Sequence, residues 1–149
     1  MQNYLPLNNF AITIHLDSME EKIDMRVECQ GEFVSINDKV YPCTVSLAMD
    51  LVGGKWKAVI LYHLIDHEKR YNQLRKEMPG VTERTLSLQL KQLEKDGLIS
   101  REVFGDKPPV KVVYKLTEFG KSCTPLLEAI LGWGNQIATR KGRFVQVAD

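Results

Sequence analysis

The sequence contains no apolar run approaching the roughly 18 residues that a membrane-spanning helix needs. It has no secretory pattern either, since Met1–Phe10 lacks both a basic start and an apolar centre. A cytoplasmic protein is the expectation. Cysteine is scarce: Cys29, Cys43 and Cys123 are an odd number with no CxxC pair. That argues against a secreted disulfide framework and against a zinc ribbon. Catalytic signatures are missing as well. There is no Ser/His/Asp order, no P-loop and no glycine-rich nucleotide motif. The three histidines, His15, His63 and His67, lie in segments without a nucleophile beside them. No enzyme activity and no cofactor are expected. His63 and His67 are four residues apart on an expected helix, a spacing that can bind metal. No third ligand of matching position is evident, and Asp66 and Glu68 make no defined set. Both histidines therefore read as polar helix-end residues, and no metal is expected.

What is present describes a globular chain. Its 149 residues are 44% hydrophobic and 26% charged, which suits one domain, or one domain with an extension. The net charge of +1 hides an asymmetry. Residues 1–40 carry seven acids against three bases, a balance of −4, which leaves +5 on the remainder. A mildly basic body is compatible with nucleic acid and is weak evidence by itself.

Residues 1–40 read as an extension. Phe10, Ile12, Ile14 and Leu16 alternate with smaller or polar residues, which favours a short strand. Ser18–Cys29 fits two templates. Ser18 and Glu21 form a capping-box pattern ahead of Met19, Ile23 and Val27, while Ile23, Met25, Val27 and Cys29 alternate as a strand would. Gly31 and Asn37-Asp38 are turn residues.

From Tyr41 the signals sharpen. Helices are expected over Thr44–Val52, stopped by Gly53-Gly54; over Lys55–Asp66; and over Tyr71–Met78, stopped by Pro79-Gly80. Thr82 can cap a fourth helix, with Glu83 in its first turn and Asp96-Gly97 at its end. The period then changes to two. Ile99–Phe104 and Val110–Leu116 read as a hairpin around Gly105-Asp106-Lys107-Pro108-Pro109. Thr117 caps a final helical region, where Leu126, Ile130, Trp133 and Ile137 share one face and Gly132 and Gly134 weaken the helix. Residues 140–149 read as a loose tail.

Helices, then a strand hairpin, then a helix, is the order of a winged helix-turn-helix. The chain is thus expected to be mainly α with a small β-hairpin wing. Its fourth helix would lie in the major groove, which admits a helix and displays an unambiguous base pattern. In "TERTLSLQLKQLEKDGLI", Leu86, Leu90 and Leu93 fall on one face and turn to the core. The opposite face holds Arg84, Lys91 and Lys95, which are phosphate or base-edge candidates, with Leu88 among them. Thr82, Thr85, Ser87, Gln89 and Gln92 flank these and can hydrogen-bond bases or phosphates. At the wing, Lys107 and Lys111 are available to phosphate or to the neighbouring minor groove. On a groove-facing helix Leu88 can touch a thymine methyl; otherwise it is a tolerated exposed leucine. The charged face likewise is either a DNA-reading surface or a solvated one.

The segments "CTVSLAMDLVGGKWKAVILYHL", "RYNQLRKEMPGVTERTLSLQLKQLEKDGLISR" and "PPVKVVYKLTEFG" resemble the HxlR family of bacterial transcription regulators, relatives of the MarR group. The GGKW, RYNQL, LxxLExDGLI and VxYxLTxxG elements agree in order and spacing across Tyr41–Gly134. The resemblance implies a domain over residues 41–139 that binds double-stranded DNA as a homodimer. Such a dimer would be paired through Leu126, Ile130, Trp133 and Ile137 with parts of Cys43–Val52. It also implies a phosphate contact for Arg70, at the start of the helix before the reading helix. Palindromic operators with half-sites about one helical turn apart are the geometric expectation. A winged-helix interaction module without DNA-reading activity is the competing expectation.

Cys43 stands at the start of the first core helix. Members of the family place a cysteine there, and several respond to oxidants or electrophiles through it. Unpaired amide donors and the helix dipole favour a thiolate at a helix N-terminus, and Lys39 would add to this if the chain folds back. Pro42-Cys43-Thr44 departs from the family's Cys-Pro, so either Cys43 or Thr44 can be the cap. The competing reading makes Cys43 a small buried apolar residue. Cys123 reads as core or dimer packing.

Overall fold

A computed structural model describes residues 33–145. The expected strand at Phe10–Leu16, the ambiguous segment at Ser18–Cys29, and Gly31 lie outside those residues. The chain is mainly helical, with two small antiparallel sheets. Strands β1 (Val34–Ile36) and β2 (Lys39–Tyr41) pair across the Asn37-Asp38 turn. Both turn residues adopt positive φ, 48° and 61°, the geometry that a two-residue hairpin loop requires and that Asn and Asp tolerate. This hairpin crosses the position at which composition divides extension from domain.

Helix α1 (Thr44–Val52) follows directly, and α2 spans Lys57–His63. Helix α2 is shorter than its periodicity suggests at both ends. Trp56 is its N-cap, and its last amides tighten into i→i−3 bonds, Leu64 N to Leu61 O and Ile65 N to Tyr62 O. His67 is thus beyond the helix, and the i, i+4 geometry that made His63 and His67 a possible metal pair does not form.

A two-residue strand that periodicity did not reveal, β3 (Lys69–Arg70), precedes α3 (Tyr71–Glu77). Helix α4 (Glu83–Lys95) is capped by Thr82, whose hydroxyl accepts from Thr85 N at 3.2 Å. Strands β4 (Ile99–Phe104) and β5 (Lys111–Leu116) form the wing, and β3 joins its far edge to give the order β3-β5-β4. Arg70 lies opposite Val113, and Arg101 lies opposite Tyr114.

The expected final helical region is two helices. The short α5 (Glu118–Lys121) is capped by Thr117, and α6 (Thr124–Lys141) starts after a break at Ser122-Cys123, with a proline in its first turn. Gly132 and Gly134 lie within α6 without interrupting it, and a side chain added at either would meet open space. Arg140 and Lys141 belong to this helix and not to a loose tail.

The core forms where the amphipathic stripes converge. Ile60, Leu61 and Leu64 from α2 and its end, Leu74 and Met78 from α3, and Leu86, Leu90 and Leu93 from α4 close on Leu98, Ile99 and Leu116 of the wing. Leu127 is the single fully buried residue of α6 and docks that helix on the cluster. Gly120 explains the end of the LTxxG element. A Cβ there would sit 1.9 Å from the carbonyl oxygen of Leu98, so only glycine allows α5 to lie against the strand. Thr117 reinforces the same junction, donating its hydroxyl to Gly97 O at 2.6 Å and accepting from Gly120 N at 2.9 Å.

Candidate nucleic-acid interface

Helix α4 is held from beneath by Leu86, Leu90 and Leu93, each no more than 1% exposed. That anchoring fixes what the opposite side presents. Arg84, Leu88, Lys91 and Lys95 are exposed along it. Leu88 keeps 60% of its surface open, although it is the largest apolar side chain of that face. Among the described residues no carboxylate forms an ion pair with Arg84, Lys91 or Lys95. The acid at the start of the helix is different. Glu83 is paired with Arg75 of α3 at 2.5 Å in an exposed ion pair that sets a cation beside its charge.

The hydroxyl and amide candidates divide by what they already hold. Thr82 is used as the cap and donates its hydroxyl to Thr85 Oγ1 at 2.8 Å. Ser87 is half-buried and donates to the Tyr71 hydroxyl at 3.3 Å, which itself donates to Glu83 O at 3.1 Å. Gln92 is half-buried and donates to Asp96 Oδ1 at 2.9 Å. Gln89 is half-buried beside the leucine stripe. Ser87 and Gln92 thus each hold an internal partner, and the fully exposed side chains of the outer face are Arg84, Leu88, Lys91 and Lys95. Lys95 borders a different depression, beside Ile36 and Lys39 of the β1–β2 hairpin. The face nearest the helix start is Arg84 and Leu88.

The wing side is basic as well. Arg70 and Lys111 line one depression of about 490 Å³ together with Glu68, with Asn72 and Gln73 of α3 beside them. Gln73 Oε1 accepts from Arg70 N at 2.8 Å, which closes the first turn of α3 and leaves the guanidinium outward. Lys111 Nζ lies 5.4 Å from the Phe104 ring, which holds its stem against the wing. Lys107 is exposed at the wing tip. The sequence reading passed over Arg101. It is exposed on β4 and shares a depression with Lys91, Glu94 and Tyr114. Its place in the polar middle of β4, between Ser100 and Glu102, gave no signal that set it apart from an ordinary surface residue.

Two polar clusters hold this surface in place. Among the described residues Lys69 is the one buried charged side chain, 8% exposed. Its ammonium donates to both oxygens of Glu77, at 2.8 and 2.7 Å, and His63 Nδ1 lies 3.1 Å from the same carboxylate. The Lys69 ammonium holds the Glu77 carboxyl below the ordinary glutamate range, against the opposing effect of burial. The cluster ties β3, and through it the wing, to α2 and α3. At the hairpin, Tyr41 and Lys39 donate to Asp50 Oδ2 at 2.7 and 3.0 Å and hold its carboxyl low. Lys39 thus pairs with an acid of α1.

Cys43 is the N-cap of α1, and Thr44 is the first helical residue. The Cys43 Sγ accepts from Ser46 N at 3.4 Å. The thiol is half-buried. Cys123 donates to Gly120 O at 3.0 Å, and burial pushes its thiol up. On α6, Leu126, Ile130, Trp133 and Ile137 are all uncovered, Trp133 by 67%, as are Val45 and Met49 on α1. No helix among the described residues is long and apolar enough to cross a membrane.

A three-helix core with a β-hairpin wing and an outward basic face on its third core-packed helix defines a winged helix-turn-helix DNA-binding regulator. The chain matches the model of the HxlR-like helix-turn-helix family over residues 51–142 and belongs to that family of transcription regulators. It is 47% identical over 104 residues to the HTH-type transcriptional regulator YdeP of Bacillus subtilis, covering 70% of this chain and 80% of the relative. Among solved structures it is similar to the redox regulator HypR in its oxidised form, at 43% identity and TM-score 0.61, covering 69% of this chain and all of HypR. It is also similar to the reduced form of the transcriptional regulator YodB of B. subtilis, at 29% identity and TM-score 0.56, covering 67% of this chain and 96% of that one.

Proposed function

We propose that this regulator acts in the cytoplasm as a homodimer on palindromic double-stranded DNA, with α4 of each protomer in the major groove. The observation that carries the reading is the outward face of α4. It presents three exposed cations, Arg84, Lys91 and Lys95, without ion pairs among the described residues, around an exposed leucine. Arg84 is the leading base reader, because a guanidinium can bond guanine bidentately. Arg70, Lys107 and Lys111 are phosphate contacts that fix the register, and Thr85 is a further hydroxyl contact at the helix start. The exposed stripe of α6, with Val45 and Met49 of α1, supports a second copy as the covering partner. Selection from random-sequence duplexes with the full chain tests the reading. A palindromic motif enriched over background is expected, with half-sites about one turn apart.

Regulation by oxidants or electrophiles through Cys43 is the finer part of the proposal. Two relatives of known structure are a redox regulator and a regulator solved after diamide treatment. In this chain Cys43 Sγ is the cap acceptor of α1, so its modification removes the bond to Ser46 N. The first turn of α1 then loosens, and Val45 on that turn belongs to the apolar surface assigned to the dimer. Diamide or a quinone should change operator affinity in the parent chain and not in Cys43→Ser. An equal response in both excludes Cys43 as the sensor.

A further inference from the structure

The candidate readers of α4 are not equally free, and their commitments decide how the middle of the helix can read a base. Thr82 donates to Thr85, Ser87 to Tyr71, and Gln92 to Asp96, while Gln89 is half-buried beside the leucine stripe. At the centre of the outward face stands Leu88, 60% exposed and one turn on from Arg84. An isobutyl group there cannot hydrogen-bond a base edge. The feature of the major groove that suits it is the C5-methyl group of a pyrimidine, which thymine carries and cytosine lacks. We infer that Leu88 is a specificity-determining residue that reads the 5-methyl group of one thymine in each operator half-site. Arg84 and Lys91, one helical turn to either side, carry the polar and phosphate contacts around it.

The inference rests on the groove-binding reading of α4, and the two fail in different ways. The probe is the duplex recovered by random-sequence selection with the full chain, resynthesised with deoxyuridine for thymidine at one position at a time. That exchange removes one methyl and leaves base pairing and every hydrogen-bonding edge intact. Burying a methyl-sized group corresponds to about fourfold in affinity per contact. The parent chain should lose about that factor at one thymine of each half-site, and little at the other thymines. Leu88→Ala should bind the thymine and uracil duplexes equally. Leu88→Gln should alter the base preferred at that position in a fresh selection. The same methyl is present on 5-methylcytosine, so a duplex with 5-methylcytosine paired to guanine at that position separates methyl reading from reading of the whole base pair. It should bind better than its cytosine counterpart to the parent chain and equally to Leu88→Ala. Leu88 is exposed, so both variants should melt with the parent. If uracil substitution has the same effect on the parent and on Leu88→Ala at every position, the inference is overturned while groove binding stands. If selection enriches no sequence, the groove-binding reading itself is lost.

Discussion

Glu77→Gln should destabilise the fold through a residue that touches no DNA. Lys69 is 8% exposed, and both its short bonds end on the Glu77 carboxylate. The substitution keeps the shape and removes the charge, which leaves a buried ammonium facing a neutral amide. Removing one partner of a fully buried pair costs about 3–5 kcal/mol. The Glu77 side chain keeps 37% of its surface in water, which relaxes part of that cost; about 2 kcal/mol is the expected loss. For a folded unit of this size, that corresponds to a fall of about 8 °C in Tm. The effect is also pH-dependent, and its sign follows from the lowered carboxyl. Stability from this pair is complete above the ordinary glutamate range and is lost as the pH falls through that range toward the lowered value. The gap between parent and Glu77→Gln should therefore narrow once the pH falls below the ordinary glutamate range. Differential scanning calorimetry from neutral pH to below that range reads it. Adding Lys69→Met, which removes the stranded charge, should recover most of the loss. A Glu77→Gln protein that melts within 1 °C of the parent, or a double variant less stable than the single one, would refute the reasoning; 1 °C is roughly the resolution of the assay.

Other outcomes follow from the same geometry. Gly120→Ala should cost about 3 kcal/mol, the upper end of the usual overpacking range, because its Cβ would meet the Leu98 backbone and not a movable side chain; chemical denaturation measures it, and an unchanged midpoint contradicts the packing argument. Trp133→Glu should convert the proposed dimer to a folded monomer in analytical ultracentrifugation and weaken operator binding, since Trp133 is the most exposed apolar residue of the α6 stripe. A dimer that persists would move the interface elsewhere.

Most of the fold was legible because its signals are local. Leu86, Leu90 and Leu93 announce α4 by their spacing, Thr82 and Thr117 announce caps, and the change of period at Ile99 announces the wing. What escaped depends on partners distant in the chain. Strand β3 is two residues long, too short for any period, and exists because β5 offers it an edge. Lys69 reads as a surface lysine until Glu77 and His63 close around it. The outward set on α4 follows from 100° arithmetic, while the bond from Ser87 to Tyr71, sixteen residues away, does not. The bond from Gln92 to Asp96 is local, at i+4, and is legible in the sequence. Cys43 as the cap required the backbone turn that Pro42 sets up, and neither Cys43 nor Thr44 could be preferred without it.

The central claim is that the outer face of α4 reads DNA. Its most direct test is equilibrium binding of the parent chain and Arg84→Ala to the selected duplex and to a scrambled one, over a range of salt. The parent should prefer the selected duplex, with log affinity falling linearly as log salt rises. Arg84→Ala should lose about 1–3 kcal/mol on the selected duplex, roughly 5- to 150-fold, with an unchanged melting temperature. Equal, negligible affinity for both duplexes, or an Arg84→Ala protein that binds as the parent does, would contradict the account.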